Sequence, residues 1–155
     1  MDAFDEYRFL AMSTQFLTER RQMAIRTYLT VNTLIFAVLG VLLKEAVFRE
    51  WLLLVVSISL SAVGVLACWV WYRTLVHYRE LIAWRYQELM KMEQEPALSA
   101  AHKTYTREWN EFYSPGSARP KVSFSDLEAM LPQLFIAFYI LFAVCIVLVI
   151  TIDLR

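Results

Sequence analysis

The chain has 155 residues, with 15 basic and 15 acidic side chains and no formal net charge, so no charge excess argues for nucleic acid or an acidic partner. It is 59% hydrophobic and 15% aromatic with a mean hydropathy of +0.45, beyond the roughly half-apolar composition of a soluble domain. The excess falls in three blocks, which argues against an ordinary water-soluble globule and predicts an all-α integral membrane protein with three transmembrane helices.

Residues 1–26 read as an N-terminal amphipathic helix, cytosolic or interfacial, with Phe4, Phe9, Met12, Phe16 and Met23 as its apolar members. It is expected to lie on the membrane surface or to pack on a cytosolic neighbour. Asp2, Asp5 and Glu6 stand where a cleaved signal peptide has basic residues, so no signal peptide is expected. Glu19-Arg20-Arg21-Gln22 and Arg26 form a largely positive collar before the first apolar run.

Residues 27–72 form a transmembrane hairpin. The first span, 27–43, is the most polar of the three, with Thr27, Thr30, Asn32 and Thr33 in its first two turns. The Asn32 amide is costly in lipid unless satisfied, so it should face protein or water. Thr30, Thr33, Ala37 and Gly40 share one helix face with Arg26, a stripe that suits close helix packing or the wall of a wet cavity. The second span, 51–72, is 22 residues without charge, about 33 Å of helix, enough to cross a hydrocarbon core of about 30 Å. Ser57, Ser61, Gly64 and Cys68 make a second small-residue stripe, expected to meet the first within or between protomers. Trp69, Trp71 and Tyr72 are placed in the interfacial aromatic belt.

No Gly or Pro interrupts Val65–Glu95, so the second span should continue into water as one helix. Residues 73–129 are read as a cytosolic helical hairpin, Arg73–Glu95 against Leu98–Tyr113. Its candidate assembly residues are Leu75, Tyr78, Leu81, Trp84, Leu89, Glu93, Glu108 and Trp109, with Trp109 expected to be buried in the hairpin. Glu93, Glu95, Glu108 and Glu111 read as solvated helix faces. Pro96 ends the first arm, and Ser114-Pro115-Gly116-Ser117 is the strongest loop signal. Ser125-Asp126-Leu127-Glu128 has the form of a capping box. Glu128 and Pro132 mark the entry of the third span, 130–152, where Pro132 either kinks the helix or marks its first turn. This least polar span should face lipid.

Twelve of the fifteen Lys and Arg fall in residues 1–26 and 73–129, which places the N-terminus and the large loop in the cytosol and the C-terminus in the periplasm. Cys68 and Cys145 lie in apolar runs and read as packing residues. His77 and His102 lack metal-ligand spacing and read as surface or packing histidines. With three glycines the chain holds no phosphate loop or nucleophile elbow, so no enzyme, no cofactor and no metal are expected.

Arg20-Arg21-Gln22 before Tyr28 and Val31-Asn32, Tyr78-Arg79 with Leu81, Met92-Glu93 with Pro96, Glu108-Trp109, and Glu128, Leu131-Pro132 and Tyr139 occur in an order that resembles the RipA family of small octameric bacterial membrane proteins. The resemblance covers most of the chain. Arg85 stands where Lys would be expected and Glu95 where Leu would be. It implies a homo-octamer in the bacterial inner membrane, with no assigned enzymatic activity and a link to stress or intracellular growth. Two functions then compete. One is a symmetric homo-oligomeric ring acting as a channel or permeability element. The candidate pore or inter-helix residues are Arg26, Thr30, Asn32, Thr33, Ala37, Gly40, Ser57, Ser61 and Gly64. The other is a non-conducting scaffold or signalling platform that organises lipid or recruits a protein partner the sequence does not identify.

Overall fold

The computed structural model describes residues 3–44, 50–96, 103–112 and 124–153. Among them the chain is all-helical, in four elements: α1 (Ala3–Lys44), α2 (Glu50–Gln94), α3 (Thr104–Phe112) and α4 (Phe124–Asp153). Three of these, α1, α2 and α4, are long and apolar enough to cross a membrane.

α1 is one helix of 42 residues, joining the expected N-terminal helix to the first span. No Gly or Pro occurs before Gly40, and Asp5 and Glu6 in the first turn complement the helix dipole. α2 runs 45 residues and ends at Gln94, because Pro96 disfavours helical geometry at Glu95. A short turn, with Glu95 N–H donating to Met92 O at 3.1 Å, closes it. Of the segment expected as the second arm, 104–112 form α3, of 9 residues, and 98–102 and 113 lie outside the described residues. α4 begins at Phe124 and carries Pro132 in its interior, so Pro132 is not the first-turn residue.

The described helices contribute to two compact units. One comprises residues 1–22 and 75–127, the other residues 23–74 and 128–155. In the first, the N-terminal part of α1 packs with the C-terminal part of α2 and with α3 of the same chain. Leu75, Leu89, Thr14 and Glu93 are buried there. In the second unit, α1 buries Asn32, Ile35 and Leu39, spaced as one helix face. α2 buries Ser57, Ser61, Gly64, Cys68 and Trp71, and α4 buries Pro132, Tyr139 and Ile146, seven residues apart. Phe36, Phe135 and Phe142 close round this core. Leu134, Phe138, Leu141 and Leu148 of α4 are exposed apolar surface.

Candidate functional site

Inside the second unit one amide collects the polar groups of three helices. Asn32 Nδ2 donates to Tyr28 O at 2.8 Å, a bond within α1. Its Oδ1 accepts from Tyr139 Oη of α4 at 2.9 Å and from Cys68 Sγ of α2 at 3.1 Å. Both oxygen lone pairs and one N–H are occupied, so most of the cost of carrying an amide into an apolar region is met internally. Asn32 therefore faces protein rather than an aqueous lumen.

Aromatic stacking fixes the surroundings of that amide. The Tyr139 ring stacks on Phe36 with centroids 4.6 Å apart and planes 3° apart. Trp71 stacks on Tyr28 at 5.7 Å and tilts against Phe135 at 6.0 Å. Trp71 is thus fully buried and not part of an interfacial belt, whereas Trp69 is exposed. Gly64 sits under the Tyr139 ring: a Cβ there would overlap the ring carbons. The small residue is needed for ring-to-backbone approach rather than for backbone freedom.

The two small-residue stripes do not meet within the protomer. Ser57, Ser61, Gly64 and Cys68 are buried, while Arg26, Thr30, Thr33, Ala37 and Gly40 are exposed, with nothing within 4 Å of a Cβ at Gly40. The face of α1 that packs is that of Asn32, Ile35 and Leu39. Thr30 and Thr33 donate their hydroxyls to Arg26 O and Leu29 O at 3.0 and 2.8 Å, so only oxygen lone pairs point outward. Ser61 donates likewise to Ser57 O at 2.8 Å. Ser57 Oγ and Trp71 Nε1 are buried without a hydrogen-bond partner.

The first unit is organised by Glu93, which overturns its expected place on a solvated face: it is 1% exposed. Lys103 precedes α3, whose first turn closes with Arg107 N–H donating to Lys103 O at 3.1 Å. A lysine has no acceptor with which to cap the free amides of that turn. Glu93, from the end of α2, supplies one. Its Oε1 accepts from Tyr105 N–H at 3.0 Å and its Oε2 from Thr106 N–H at 2.8 Å and Thr106 Oγ1 at 2.6 Å. Tyr7 Oη of α1 adds a fourth bond to Oε1 at 2.8 Å. Burial alone would raise the carboxyl pKa, but these four donors outweigh it and hold the pKa below its ordinary value. Burial, then the adjoining Glu93 hydrogen bond and charge, push the Tyr7 phenol well above its usual value. Tyr105 is raised by burial and by Glu108 and Glu93. The Tyr7 and Tyr86 rings meet Tyr105 edge to face, at 6.3 and 5.3 Å. Arg85 donates to Ser13 Oγ from α2 to α1.

Of the other assembly candidates, Leu75 and Leu89 are buried and Tyr78 and Leu81 half-buried. Trp84 and Glu108 are exposed. Trp109 keeps 42% of its surface exposed, so it is not a buried anchor of the protomer. Glu128 is half-buried and Pro132 buried. His77 is exposed and His102 lies outside the described residues. Sequence reasoning missed Tyr7 and Thr106. Tyr139, the single tyrosine of the third span, was visible only through the family resemblance. Its isolation in an apolar run was the available signal.

Three apolar helices around a polar core centred on Asn32, with a helical unit held by a buried carboxylate, define a multi-span membrane protein that is all-helical over the described residues. The chain belongs to the Octameric membrane protein family (8xMP), which it matches over residues 4–149. Family and helices together make it a homo-oligomeric membrane protein. No curated protein and no solved structure matches it significantly.

Proposed function

We propose that the protein, RipA-like in its motifs, forms a symmetric homo-octameric ring in the bacterial inner membrane and that the ring bounds a permeation path. The N-terminus and the 73–129 segment are cytosolic, with a helical hairpin of α2 and α3, and the C-terminus is periplasmic, as the Lys and Arg bias supports. The observation that carries this reading is the division of polar residues on α1: Asn32 is satisfied inside the protomer, while Arg26, Thr30, Thr33, Ala37 and Gly40 are left uncovered on another face. In a ring that face lines the axis, its threonine oxygens forming a weakly polar wall and Arg26 screening ions at the cytosolic mouth. The reading assigns no catalytic step.

The test uses purified protein in planar bilayers and in proteoliposomes. Conductance, together with blockade of a Cys145→Ser/Thr33→Cys variant by a water-soluble thiosulfonate, is the expected result. An intact oligomer that neither conducts nor reacts at Thr33→Cys rejects the permeation path. It leaves the second reading, a non-conducting scaffold, which is favoured by the three apolar runs 27–43, 51–72 and 130–152 holding no ionisable Asp, Glu, Lys, Arg or His.

A further inference from the structure

The first unit leaves two aromatic patches uncovered. On α1, Phe9, Met12 and Phe16 fall at i, i+3 and i+7, and all are exposed, Phe9 by 66%. Arg20, one turn on, sits over the Phe16 ring at 4.7 Å. On α2, Trp84 is 55% exposed, with Glu80 one turn before it and Glu88 one turn after.

Resting on the ring and the bilayer placement proposed above, we propose that these patches are the two halves of one head-to-tail contact between copies of this chain: Phe9, Met12 and Phe16 pack on Trp84 of the partner subunit. Lipid is a poor occupant. α1 is one helix, and Phe9 lies 18 residues before Thr27, where the apolar run begins, about 27 Å along the axis at ~1.5 Å per residue. Trp84 is moreover flanked by the carboxylates Glu80 and Glu88, which an anionic leaflet repels. A second copy fits on three grounds. The chain is a member of a self-associating family. A closed ring needs two different complementary patches on each subunit, which the unit has, whereas a two-fold dimer needs one. The chemistry also matches: a guanidinium already stacked on Phe16 has an open face for an indole, the strongest aromatic partner for a cation, and Glu80 beside that indole supplies a carboxylate.

The experiment uses the full chain in detergent, in a Cys145→Ser background with Cys68 left in its buried position. The Met12→Cys/Trp84→Cys variant is oxidised and run alongside either cysteine alone, with native mass spectrometry of the unmodified protein as reference. A ladder of covalent multimers in the double variant, with no covalent dimer from either single one, is expected. Arg20→Glu and Glu80→Arg should each shift the mass distribution toward smaller species, and their combination should restore it. An intact octamer whose double variant gives no ladder, or a covalent dimer from Met12→Cys alone, overturns the contact while leaving the ring standing. A monomeric unmodified protein overturns both.

Discussion

The Tyr139 hydroxyl donates to Asn32 Oδ1 at 2.9 Å, and through that oxygen α4 is tied to α1 and, by Cys68, to α2. Asn32→Leu removes the acceptor of both donors and leaves them buried. The expected loss is about 1–2 kcal/mol, between the general penalty for orphaned buried donors and the smaller values typical of membrane hydrogen bonds. Tyr139→Phe, which removes one of these donors and leaves Asn32 Oδ1 its bond from Cys68, should cost about half as much. Denaturation in mixed micelles, followed by circular dichroism, reads both, and an Asn32→Leu protein as stable as the parent contradicts the bonded geometry.

Gly64 faces the ring of that same tyrosine. In Gly64→Ala the new Cβ cannot fit without moving Tyr139, which is pinned on its other side by Phe36. We expect about 1–3 kcal/mol of destabilisation from overpacking, although alanine is the better helix former. A Tyr139→Ala change should make the same substitution nearly harmless, so a double-mutant cycle with no coupling contradicts the contact.

Gly40 gives the opposite result. With open space around it, Gly40→Ala should leave the protomer as stable or slightly more so. Gly40→Leu should spare the helical content but reduce conductance or the oligomer mass, because the residue faces whatever lies outside the protomer. Full retention of both would remove this face from the ring.

Glu93 makes the first unit sensitive to acid. Its folded pKa is below the ordinary carboxylate value, so its contribution is complete above about pH 5 and disappears as pH falls through the depressed folded value. Tyr7 and Tyr105 act in the other direction: raised above 10, they contribute below that pH and lose the contribution as it rises further. Glu93→Gln places an amide NH2 where donors already point and should cost about 1–3 kcal/mol at neutral pH. It should also flatten the acid limb of the near-ultraviolet melting profile. An unchanged acid limb assigns that dependence to another carboxylate.

The hydropathy blocks and the absence of helix breakers in residues 3–39 and 65–95 were enough to determine three apolar helices and the long continuation of the second, because both follow from local composition and chain stiffness. Pro96 set the end of α2 for the same local reason. Which face of each helix packs was not local. Thr30, Asn32 and Thr33 are all polar and lie within one turn in sequence, yet only Asn32 is turned to partners on two other helices. Glu93 has the sequence surroundings of a solvated acid, and only the arrival of the α3 amides and Tyr7 at its oxygens makes burial affordable. The sequence alone determined where the described residues form long apolar helices. The tertiary structure decided which polar groups are consumed inside the protomer, since satisfying a buried donor or acceptor requires partners that lie as many as 107 residues away along the chain.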